Sequence, residues 1–69
     1  MRELSKEQIR IMDILTEIRM EKDDIIGTMI VLDAHNKTEE YLTWITKQNM
    51  NLTPQEAIRK AWQLGGLID

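Results

Sequence analysis

The sequence predicts an all-α fold, a small bundle of three or four short helices around a central apolar helix, and three observations carry that expectation. Asp24-Ile25-Ile26-Gly27-Thr28-Met29-Ile30-Val31-Leu32 is the most apolar run in the chain. At about 100° per residue its side chains point almost all the way round a helix, and a helix apolar on every side is expected to be buried on every side. Two segments, Ser5-Lys6-Glu7-Gln8 and Thr53-Pro54-Gln55-Glu56, carry the signature of a capped helix start. No segment alternates apolar and polar residues, so a strand formed by the β-branched run would need a second copy of the chain to pair with.

Length and composition narrow the function classes. Sixty-nine residues make one domain, 1–69. A domain of this size buries only about 60% of the surface its unfolded chain exposes. Its core rarely supplies more than roughly 3–5 kcal/mol. There is no cysteine and one histidine, so disulfides, thiolate sites and an ordinary structural zinc site are excluded. No cofactor is expected, and oligomerisation is the remaining aid for so small a core. Nine basic and twelve acidic side chains give a net charge of −3, a balance that argues against a nucleic-acid platform. No apolar run approaches the roughly 20 residues of a membrane span, and the first residues lack the apolar core of a signal peptide. The default location is the cytoplasm.

The first helix is expected over 5–21. Ser5 caps it, with Gln8 reaching back, and Ile11, Leu15 and Ile18 follow at helical spacing beside Met12 and Ile14. Leu4, Ile11, Ile18 and Ile25 are seven apart, a seam interrupted by Gln8 and Lys22. Asp13, Glu17, Glu21 and Asp24 fall on one ridge, read as a solvated face because a hard cation needs oxygens converging from several directions. Glu21-Lys22-Asp23-Asp24 is the expected corner, with Asp23 or Asp24 capping a second helix over 24–32. No glycine or proline enforces that break, so one longer helix over 5–32 stays open. Asp33-Ala34-His35-Asn36-Lys37 reads as a loop.

Asn36 or Thr38 is expected to cap a third helix over 38–48, with Tyr41, Leu42 and Ile45 inward and Trp44 alongside. Asn49-Met50-Asn51 ends it. The fourth helix, 54–64, has the clearest start: Thr53 as cap, Pro54 at the first helical position and Glu56 completing the box. Leu52 and Ala57 are placed for a hydrophobic staple. Ala57, Ile58, Ala61, Trp62 and Leu64 supply its apolar contacts, and Gly65-Gly66 stops it.

Catalytic chemistry has little to draw on, and the expectation is that the chain is not an enzyme. The single serine sits at a helix cap and the single histidine, His35, in a loop beside Asn36 and Lys37. Glu39 and Glu40 are neighbours that point about 100° apart and suit the start of a helix better than acid–base work. No glycine loop precedes a helix to cradle phosphate. So short a chain is also expected to lack room for a pocket of several hundred Å³.

Two recognition readings remain. The preferred one is a non-catalytic protein–protein interaction or regulatory module, a homodimer or the partner of another protein, with Ile11, Met12, Leu15, Ile18, Trp44 and Trp62 as the candidate interface. Its warrant is that the apolar surface, spread over more than one face of the first helix and all faces of the second, exceeds what the polar residues can cover. Met12, Met20, Met29 and Met50 are either gap-fillers or adaptable contacts. The alternative is a small DNA-binding regulator. The two helices joined by Asn49–Leu52 have a helix-turn-helix layout, and Lys47, Gln55, Arg59, Lys60 and Gln63 are side-chain types that read base edges and phosphates. An acidic chain would need a dimer to assemble enough positive surface. No membrane or small-molecule partner is expected.

Overall fold

The computed structural model describes residues 3–48 and 52–68, and every regular element among them is an α-helix. Helix α1 is Lys6–Glu17, α2 Lys22–Ala34, α3 Thr38–Lys47 and α4 Pro54–Leu64. The all-α bundle expected from the sequence is what forms. A long helix over 5–32 does not form, and the expected corner lies several residues earlier than 21–24.

The reason is a helix stop that contains no glycine. Arg19 adopts the left-handed conformation, φ 66°. Its N–H donates to the Thr16 carbonyl at 3.0 Å, and the Met20 N–H donates to the Leu15 carbonyl at 3.1 Å. That pair of reversed bonds is the Schellman stop, completed by apolar contact between the residues that bracket it, here Leu15 and Met20, both buried. The same device ends α2 at Asn36, φ 56°, and α4 at Gly66, φ 74°. Lys37 N–H reaches the Leu32 carbonyl at 2.8 Å, and Leu67 N–H reaches the Trp62 carbonyl at 2.9 Å.

The starts differ more from expectation than the stops. Ser5 and Gln8 form the reciprocal capping box, 2.8 and 3.1 Å. Thr53 Oγ1 accepts from the Glu56 N–H at 3.2 Å, but the Glu56 carboxylate accepts from the Thr53 hydroxyl rather than from the backbone. Helix α2 begins after Glu21 with no side-chain cap, and Asp23 and Asp24, expected as caps, lie inside its first turn. Helix α3 begins after Lys37, also uncapped by a side chain. Asn36 is unavailable there because its backbone already serves the α2 stop, and Thr38 is the first helical residue. The expected end of α3 at 49–51 lies outside the described residues.

The core collects Ile11 and Leu15 from α1, Ile25 and Leu32 from α2, Tyr41 and Ile45 from α3, and Ala57 and Ala61 from α4, with Met20 closing one end. Helix α4 packs chiefly on α2, and α1 spans α2 and α3. Ala57, Ala61 and Gly65, four apart, form a ridge of small buried residues along α4. A β-carbon at Gly65 would stand 2.7 Å from Val31 Cγ1, so the end of α4 approaches α2 closely enough to admit glycine alone. The Tyr41 hydroxyl donates to the Ala57 carbonyl at 2.8 Å and pins α3 to α4.

The expectation that α2 is buried all round is overturned. Its inner face, Ile25, Thr28 and Leu32, is buried, whereas Ile26 is 46% and Ile30 62% exposed and Gly27 is open to solvent. Three short helices bury the inner side of α2 and leave the other open to solvent at Ile26 and Ile30.

Candidate functional site

The uncovered side of α2 is the wall of an open groove of about 780 Å³. The room expected to be missing from so short a chain therefore exists, because it is an open groove and need not be enclosed. The chain enters α1 alongside the second half of α2, and Leu4 and Met12 face Ile26, Met29 and Ile30 across the gap. Helix α3 starts at one end, contributing Thr38 and Glu39. Five apolar side chains thus form the floor. Three of them, Leu4, Ile26 and Ile30, are large and exposed. Two others are methionines, whose unbranched chains adapt to irregular surfaces. Glu3 and Glu7 from the start of α1, Asp33 from α2 and Glu39 from α3 stand around the floor.

The expected interface residues divide. Ile11 and Leu15 have no exposed surface and serve the core of their own chain. Met12 is in the groove. Ile18 and Trp44 are half-buried against the core. Trp62 is 45% exposed, on the outer side of α4 next to the Leu67 corner. The apolar excess is expected on α1 and all round α2, and the fold exposes Ile26 and Ile30 of α2 together with Leu4, Ile9, Trp62 and Leu67. Ile26 and Ile30 were missed as site residues because periodicity gives no inner or outer side to a helix that is apolar all round. The signal that did point to them was the count of available cover, three short helices for a fully apolar fourth.

The residues of the DNA reading are exposed at Lys47, Gln55, Arg59 and Gln63. Two features weaken the face they make. The Lys60 ammonium lies 5.6 Å from the centre of the Trp44 ring, an intramolecular cation–π contact that holds it against α3. Gln55 borders a small cleft in which the carboxylates of Glu21 and Asp24 outnumber the one cation, Arg19. The 49–51 turn between α3 and α4 lies outside the described residues.

The residues considered for catalysis are dispersed. Ser5 is engaged at its cap. His35 is exposed at the α2–α3 corner, and its ring flanks Gly65. Glu40 pairs with Lys37 at 3.6 Å. Asp13, Glu17, Glu21 and Asp24 are all solvent-exposed, as a solvated ridge requires. Burial pushes the Tyr41 phenol well above its ordinary range, so it stays a neutral donor. Among the described residues, no helix is long and apolar enough to cross a membrane. Compared with protein families, curated proteins and solved structures, the chain matches none of them.

Proposed function

We propose that the protein is a non-catalytic interaction module whose groove between α1 and α2 receives a helix of another protein chain. The observation that carries this reading is the exposed apolar row of α2. Ile26 and Ile30 are one helical turn apart, flanked by Leu4, Met12 and Met29, in a domain too small to leave such area open without cost. A contiguous apolar floor with charged surroundings marks a surface that another molecule covers. The fold limits the form of that molecule. The described residues offer no sheet edge for an added strand, and no aromatic side chain lines the groove to take a polyproline segment, which favours helix-in-groove docking, read through anchors three and four residues apart.

The reading assigns no reaction to the chain. Of the hydroxyl side chains that line the groove, Ser5 already caps α1 and Thr38 opens α3, and the ring of the single histidine flanks Gly65 at the end of α4. The reading is tested by placing a photo-crosslinking amino acid at position 30, with position 13 as control, in cells that make the protein. Discrete adducts from position 30 and none from position 13 are expected. Identical patterns from the two positions, or none from either, overturn it.

A further inference from the structure

We infer that the helix taken by this groove is a basic amphipathic one from a different protein, with lysine or arginine flanking its apolar stripe, and not a second copy of this chain. The inference rests on the docking reading above and adds the chemistry of the occupant. Its ground is the charge around the apolar floor. Among the described residues that line the groove, Glu3, Glu7 and Glu39 carry carboxylates, Asp33 carries a fourth that already has a partner, and none is a lysine or arginine. The cations of α1, Lys6 and Arg10, are exposed and are not among the groove's lining residues.

Two helix starts also point toward the groove and must be weighed against those carboxylates. The beginnings of α1 and α3 each bring about half a positive charge. The three glutamates outweigh the two together, so the field of the described lining is negative. Such a field attracts a basic segment and speeds its encounter, while the apolar floor supplies the binding surface.

The same field disfavours the simplest dimer. A two-fold pair is isologous and sets one patch against its own copy. Across this groove that would bring the two sets of glutamates together around a low-dielectric floor, where like charges cost most. A head-to-tail contact, with Arg59 and Trp62 of one copy entering the groove of the next, builds a ring of three or more copies or an open chain and would be seen as concentration-dependent growth beyond a dimer.

The test uses the full chain and two synthetic helical peptides with the same leucine stripe, one flanked by lysines and one by glutamates. Binding is followed by fluorescence anisotropy, with light scattering across a dilution series of the protein alone. The lysine peptide is expected to bind, and the glutamate peptide to bind at least tenfold more weakly. Glu7→Lys and Glu39→Lys are each expected to weaken the lysine peptide by about two- to fivefold, the range for one exposed charge pair. Asp13→Lys, on the solvated ridge, leaves it unchanged. Ile30→Asp abolishes binding while circular dichroism stays helical. If both peptides bind equally and Ile30→Asp removes both, the groove reading stands and the charge inference is overturned. If neither binds and light scattering gives a dimer or larger species that Ile30→Asp dissociates, the occupant is a second copy and the inference is overturned. A monomer that binds neither peptide overturns both readings.

Discussion

Helices α2 and α4 pack on each other, yet their sequences divide the work of folding in opposite ways. Helix α4 announces itself: Thr53 and Pro54 start it, Gly65-Gly66 stops it, and its buried residues Ala57 and Ala61 alternate with exposed Gln55, Arg59 and Gln63. Polar residues on one side leave it a single way to face the core. Helix α2 starts without a side-chain cap, and its apolar residues surround it. Its orientation is chosen by its neighbours, which select Ile25, Thr28 and Leu32 for burial and leave Ile26 and Ile30 outside. Periodicity specifies a buried face only where a polar face opposes it. Where none does, the face left over belongs to assembly rather than to folding.

The largest effect separates the two sides of α2. Leu32 has no exposed surface, and Leu32→Ala is expected to cost about 2–5 kcal/mol. That is comparable to the whole stability of roughly 3–5 kcal/mol expected for a core this small, so the variant should be largely unfolded at room temperature. Ile30→Asp, two residues away and 62% exposed, should change the urea midpoint by an amount equivalent to about 0.5 kcal/mol or less. Equal destabilisation by the two changes would show that α2 is buried on both sides and would remove the groove.

The next effect lies at the closest approach of the two helices. Gly65 has φ −80°, which any residue adopts, so backbone strain plays no part. A methyl there meets Val31 Cγ1 at 2.7 Å, and valine has little rotamer freedom to move aside. Gly65→Ala is expected to cost about 1–3 kcal/mol by overpacking. Val31→Ala in the same chain should return part of that loss, giving a non-additive double-mutant cycle in thermal or urea unfolding. Additive losses would mean that the ends of α2 and α4 do not touch.

Legibility followed the same division. The four helices, the Ser5 box, the Thr53-Pro54 start and the Gly65-Gly66 stop are written in local residue types whose physics acts within one turn. The floor of the groove is not. Nothing local distinguishes Ile26 from Ile25, since each occupies an apolar helix at an apolar position, and only the docking of α4 through its small ridge decides between them. Ile11 and Leu15 were placed at an interface for the complementary reason. On α1 more than one apolar stripe exists, and the choice of stripe belongs to the packing. The ridge Ala57, Ala61, Gly65 was legible as spacing, yet its use as a close-approach surface depends on which helix it meets.

Tyr41 holds α3 to α4, and its loss should be smaller. Tyr41→Phe removes the bond to the Ala57 carbonyl and is expected to cost about 0.5–1.5 kcal/mol. The phenol's folded pKa is raised by burial above the unfolded value of about 10. The unfolded chain therefore releases the proton first. Stability from the buried neutral phenol is fully present below about pH 10 and falls as pH rises past that value. Because this is the only tyrosine, tyrosinate absorbance should appear together with loss of helix in an alkaline titration. Tyrosinate forming while the helix signal is intact would show the hydroxyl open to water.

The smallest predicted effect is a gain, and it compares the stop of α1 with the stop of α4. Both helices end in the same reversed bonds, but α4 places Gly66 at the left-handed position and α1 places Arg19 there. For a residue with a β-carbon that conformation costs roughly 1–2 kcal/mol. Glycine adopts it freely but loses more conformational entropy on folding. The Arg19 side chain is exposed and forms no ion pair among the described residues, so little packing is lost with it. Arg19→Gly is therefore expected to stabilise the protein by about 0.5–1 kcal/mol, raising the melting temperature by several degrees in so small a domain. Gly66→Arg, the reverse change at the other stop, should lower it by a similar amount. A loss of stability on Arg19→Gly would show that the arginine contributes through its side chain, and that the two stops, alike in their backbone bonds, are held by different forces.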